Sequence, residues 1–172
     1  MKHRKQRGIK GVAGVGLIEV LVSLLVLSVG ILGIVGLQTR ALQLNQGVLY
    51  QSRANVLAYD IMDRMRSNQS QIDNYQIGLT DPKPAYTNCQ LSTANCSPAQ
   101  MTDFDLGSWR DEVENVLPSG TSSIVRTGGA QPSFIVTLQF DSSRVESASA
   151  AGQEKLAAGE SIIQQVSFRT AF

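Results

Sequence analysis

The chain has one histidine, His3, and two cysteines, Cys89 and Cys96, in 172 residues. Beyond residue 3 no Ser–His or Cys–His pair is available for nucleophilic catalysis. The cysteines likewise find no imidazole to complete a metal site. No GxxxxGKS/T sequence is present, so the common phosphate-cradling loop is missing. Proline is absent from residues 17–67, and charge is absent from Val20 to Leu37. Tryptophan occurs once, as Trp109. The first three absences leave no catalytic constellation, so no enzyme activity and no cofactor are expected. The last ones describe a long helix with an uncharged beginning.

That beginning reads Gly14-Val15-Gly16-Leu17-Ile18-Glu19-Val20 and continues apolar to Leu37, with Ser23 and Ser28 its only polar side chains after Glu19. The 18 residues from Val20 to Leu37 reach the lower limit for a membrane-spanning helix. Glu19 lies at the edge of this run. A carboxylate near hydrocarbon costs at least ~2.5–3.5 kcal/mol on insertion scales, so it calls for a partner. Ahead of the run stand Lys2, Arg4, Lys5, Arg7 and Lys10, five of the fifteen Lys/Arg, with none of the fourteen Asp/Glu. Basic residues before the first apolar span hold that side in the cytoplasm and send the C-terminal part outward. Such flanks are far commoner than nucleic-acid arms, and no nucleic acid is expected as a partner. A secretory signal peptide has a shorter apolar core followed by a small-residue cleavage site. This run is longer and ends in Gly36-Leu37-Gln38-Thr39-Arg40, so that reading is rejected.

A basic leader, a glycine and Leu17-Ile18-Glu19-Val20-Leu21 before a long apolar helix resemble the start of a type IV prepilin. The helix wording, with its glycines and the Gln38 exit, is most similar to the PilV-type minor pilins. The resemblance implies cleavage after Gly14 by a prepilin peptidase and N-methylation of Val15. It also makes Glu19 the fifth mature residue, whose carboxylate meets the amino terminus of a neighbouring subunit during assembly. The sequence departs from the family at Val15, where phenylalanine is usual, and at Gly16, where threonine or serine is common. Cleavage would leave ten Lys/Arg against fourteen Asp/Glu, a net charge of −4.

The exported part permits disulfides, and Cys89 and Cys96 suit one bridge. Residues 17–67 read as one helix about 75 Å long at 1.5 Å per residue. Beyond Gln38 the apolar residues follow a 3–4 spacing: Leu37, Ala41, Leu44, Val48, then Tyr50, Ala54, Leu57, Ile61, Met65. Such a stripe must be covered by a head domain. Gly30, Gly33 and Gly36 suit close helix–helix packing in a membrane, or a helix able to loosen on assembly. Residues 67–98 are polar and read as an exposed loop. A short helix is expected from Thr102 or Asp105 to Leu117, with Leu106, Trp109, Val113 and Leu117 on one face. Trp109 is read as core rather than as a binding site. Asp103 and Asp105 are read as helix-start caps in preference to a calcium site, so no metal is assigned.

Strands are expected at Ser122–Arg126, Ser133–Phe140 and Ser161–Thr170, with Asp141–Glu160 a long loop. The fold class is therefore α+β: a long N-terminal helix packed on a small antiparallel sheet head. The expected segments are a leader (1–14), a membrane or filament-core half-helix (15–37), an amphipathic half-helix (38–67) and a periplasmic head (68–172). The resemblance implies a minor pilin of a type IV pilus, anchored once in the inner membrane and then incorporated into the pilus. Its work would be assembly initiation or modification, affecting adhesion, twitching or DNA uptake. Its partners would be prepilin peptidase, other minor and major pilins and the pilus assembly machinery. The rivals are a minor pseudopilin of type II secretion and, from another class, an uncleaved membrane-tethered enzyme or sensor.

Overall fold

The computed structural model describes residues 16–91, 93–129, 132–147 and 149–171. The chain divides into two compact units, Met1–Arg40 and Ala41–Phe172. One helix, α1 (Leu17–Ser67), belongs to both. In the first unit its apolar side chains are exposed on every side. The element is long and apolar enough, by length and composition, to cross a membrane.

In the second unit α1 is followed by a short 3-10 helix (Gln69–Asn74), α2 (Pro98–Val116), β1 (Thr121–Thr127) and β2 (Ser133–Asp141). Then come α3 (Ser143–Glu146), α4 (Ala150–Ala157) and β3 (Ile163–Ala171). The strands form one antiparallel sheet in the order β1-β2-β3. The fold is α+β. Alternation sets the register: Ser122, Leu138 and Val166 lie in one row and Ile124, Val136 and Phe168 in the next, all on the face toward the core. Phe134, Val136, Leu138 and Phe140 of the central strand are fully buried. They pack with Ala54, Leu57, Ala58, Ile61, Met62 and Met65 of α1, whose 3–4 spacing gives one continuous apolar stripe. Trp109 is buried in the same cluster, and its indole N–H donates to the Leu57 carbonyl at 2.8 Å. It is a core residue with its polar handle satisfied.

Four expectations need correction. The stripe at Leu44 and Val48 is exposed, so the head covers α1 only from about Tyr50, which stacks obliquely on Phe140 at 6.2 Å. One close approach precedes this point. A Cβ on Gly47 would lie 2.7 Å from Val145 Cγ1 of α3, so glycine admits that side chain. The second helix begins at Pro98, not at Thr102 or Asp105, because Ser97 and Gln100 form a reciprocal capping box with proline in the first turn. Asp103 and Asp105 therefore lie inside α2 and cap nothing. Residues 141–160 are not one loop: α3 and α4 form there, and Ser149 Oγ caps α4 by accepting from Gly152 N at 2.9 Å. Finally, Tyr75 and Ile77, in the stretch taken as exposed loop, are core residues.

Candidate functional site

In the first unit the feature with chemistry is the first turn of α1. Glu19 stands there exposed, where the helix dipole favours a carboxylate. Ser23 Oγ donates to the Glu19 carbonyl at 2.7 Å and Ser28 Oγ to that of Leu24 at 2.7 Å. The two serines of the apolar run thus satisfy themselves on the helix backbone. Glu19 is left as the one polar side chain of the stretch with no such arrangement, and it makes no ion pair among the described residues. A Cβ on Gly30, Gly33 or Gly36 would meet nothing within 4 Å, so all three present open backbone surface. Gly14 and Val15, the expected cleavage and methylation residues, lie outside the described residues, as does the basic stretch before them.

In the second unit the polar side chains fasten the 68–97 segment to the helices. Tyr75 is fully buried, and its hydroxyl donates to Asp105 Oδ2 at 2.5 Å. Asn68 Nδ2 donates to the same hydroxyl, to the Pro98 carbonyl and to Thr102 Oγ1. Arg64, paired with Asp60 at 2.7 Å and bonded to Ser108, lies 3.8 Å from the other Asp105 oxygen. Burial pushes the Asp105 carboxyl up from its ordinary range, against the lowering influence of Tyr75 and Arg64. Burial, reinforced by Asp105, also raises the Tyr75 hydroxyl well above the usual phenol value.

Arg110, nearly fully buried, donates to the carbonyls of Asp81 at 2.5 Å, Gly78 at 2.6 Å and Ser122 at 2.5 Å. Its guanidinium ties the loop to β1. Farther along, the Tyr86 ring passes over α2 at Gly107, where a Cβ would run into Tyr86 Cδ1. Tyr86 and Lys83 both donate to the Asp111 carboxylate, which they hold below its ordinary range, Lys83 having the larger effect. Cys89 and Cys96 are joined in a disulfide with Cα atoms 5.9 Å apart. It closes the loop directly before the Ser97 cap of α2.

Sequence reasoning missed Arg110, Tyr75, Asn68 and Asp105 as anchors. Arg110 carried a signal: it falls four residues after Leu106 and three before Val113, a charge on the apolar arc of its helix. Tyr75 and Asn68 carried none, because their partners lie about 30 residues away.

None of this converges on a reacting centre. Among the described residues no three His, Cys, Asp or Glu side chains form a group able to hold a metal ion. Asp105 faces Tyr75 rather than a cation site. An open groove of about 440 Å³ between α1 and α2 is bordered by Arg53, Val56, Glu112 and Asn115, with no cluster of one chemical kind. The arrangement fastens the 68–97 segment to α1, α2 and β1.

No curated protein and no solved structure matches the chain. Residues 36–107 match the Tt1218-like family, described as type IV pilin Tt1218. The stretch similar to that family covers under half of the chain. It runs from the end of the apolar run through the amphipathic part of α1 and the disulfide loop to Gly107, where α2 receives Tyr86.

Proposed function

We propose that this chain is a pilin-class subunit, a minor pilin of a type IV pilus that acts in assembly initiation or modification and is not an enzyme. The observation that carries the reading is the division of labour along α1. Its first unit is apolar on all sides with one carboxylate at its start, and its second unit buries a single stripe against a sheet. The match of residues 36–107 to a type IV pilin family supports it from a different part of the chain.

On this reading the chain is held once in the inner membrane with its head outside the cytoplasm. Prepilin peptidase cuts between Gly14 and Val15 and methylates the new amino terminus. Glu19 then neutralises the amino terminus of a neighbouring pilin in the filament, each buried charge compensating the other. Removing one member of such a pair strands the other, at a typical cost of ~3–5 kcal/mol. Glu19→Ala is therefore expected to leave cleavage intact and to lower recovery in sheared pili at least tenfold. Recovery equal to that of the unaltered chain would overturn the pairing role.

A further inference from the structure

The sheet has two outer edges, and they are finished differently. Along β1, Ile77 and Ile124 exchange backbone hydrogen bonds of 3.0 and 2.8 Å, and Arg126 pairs with Asp73 at 2.7 Å. That edge is occupied. Among the described residues β3 has β2 on one side and no strand on the other. Its nine residues include no proline and no lysine, and the single charge is Arg169. The usual devices that blunt an edge strand are largely missing.

The core-facing side of β3 is also incompletely covered. Val136 and Leu138 of β2 are fully buried, whereas their β3 partners Phe168 and Val166 are only half-buried. Tyr59 of α1 stacks on Phe168 at 5.4 Å and remains 57% exposed. An open main-chain edge is thus bordered by an apolar strip. An added strand takes affinity from the first and specificity from the second.

We infer that the outer edge of β3 accepts an extended segment of a different polypeptide by β-strand addition. Alternate residues of that segment are apolar where they face Tyr59, Val166 and Phe168, and it carries an Asp or Glu opposite Arg169. Arg169 is exposed and has no ion pair among the described residues, and opposite charges facing each other across strands are favourable.

A second copy does not fit. Antiparallel pairing of β3 with its own copy needs a two-fold axis normal to the sheet. β3 itself, Ile163–Ala171, carries no Asp or Glu, so its own copy brings no acidic residue to stand opposite Arg169. A translated copy offers only its β1 edge, which is already occupied.

The test places a photo-crosslinking amino acid at Gln165, Ser167 or Arg169 of the full chain, in membranes of cells that make it. These positions are exposed, so the head stays folded. Val125, on the same face of β1, is the control. Mass-spectrometric mapping is expected to put the three crosslinks on one segment of one partner, two residues apart in its sequence, with none from Val125. Arg169→Glu should lower crosslinking from 165 and 167 by about two- to fivefold, the range of a cross-strand charge pair, and Arg169→Lys should not. Crosslinks spaced by three or four residues, scattered over many segments, confined to copies of this chain, or no stronger than at Val125 would overturn the inference. A two-residue ladder on a protein that is neither a pilin nor part of the pilus machinery would keep strand addition and overturn the pilin reading. Helical spacing on a pilin would do the reverse.

Discussion

Residues 17–40 and residues 41–67 are one helix by backbone, yet they obey different rules. Leu25, Val26 and Leu32 in the first stretch are exposed, and so are the apolar side chains on every other side of it. In the second stretch Ala54, Leu57, Ala58, Ile61, Met62 and Met65 are buried and the intervening positions are polar or exposed. A helix apolar all round has no solvent-facing side in water and suits lipid or a protein core. A helix with one stripe suits a domain surface. Hydrophobicity alone does not separate the two stretches; its distribution around the axis does.

The difference can be broken from either end. Trp109→Ala removes the side chain that fills the core against α1 and bonds the Leu57 carbonyl. It should cost about 3–5 kcal/mol of head stability, read by denaturant unfolding of the full chain in detergent, with membrane partition unchanged. Leu27→Arg should do the opposite. An arginine amid the apolar run costs about 2.5–3.5 kcal/mol of insertion, so membrane fractionation should show loss of retention while the head unfolds at its usual midpoint.

A smaller effect tests the loop between the regions of regular structure. Replacing Cys89 and Cys96 together by serine should lower stability by about 2–3 kcal/mol on the chain-entropy model. Limited proteolysis should then open the segment near residue 90 first.

The smallest effect concerns Asp105. Its folded carboxyl titrates above the ordinary value because burial disfavours its charge. The folded state therefore holds this proton more tightly than the unfolded chain does. That contribution to stability is fullest below the unfolded value, falls as pH rises through the folded one, and is flat above it. Asp105→Asn keeps an acceptor for Tyr75 and should flatten this part of the stability–pH curve. A mutant that kept the full slope would assign the slope to another group.

Periodicity made much of this legible. The proline-free 3–4 pattern gave α1, and strict alternation gave Phe134 to Phe140 and Val166 to Phe168. What it lacked was information on partners. Leu44 and Val48 follow the same spacing as Leu57 and Ile61, yet the head reaches only the latter pair. The early start of α2 was written in Ser97-Pro98-Ala99-Gln100, a cap signature that apolar spacing does not register. The helices at Ser143–Glu146 and Ala150–Ala157 are short and weakly patterned, held by the Asp141 carboxylate accepting from Ser143 N, by the Ser149 cap and by Val145 at Gly47. The inward anchors of the loop, Tyr75 and Ile77, depend on contacts distant in sequence.

The most direct test of the central claim is the intact mass of the full chain made with and without a prepilin peptidase. The account requires loss of Met1–Gly14 and gain of one methyl group on Val15 when the peptidase is present. A chain that keeps Met1–Gly14 beside an active peptidase would contradict it and favour a tethered protein with an uncleaved anchor.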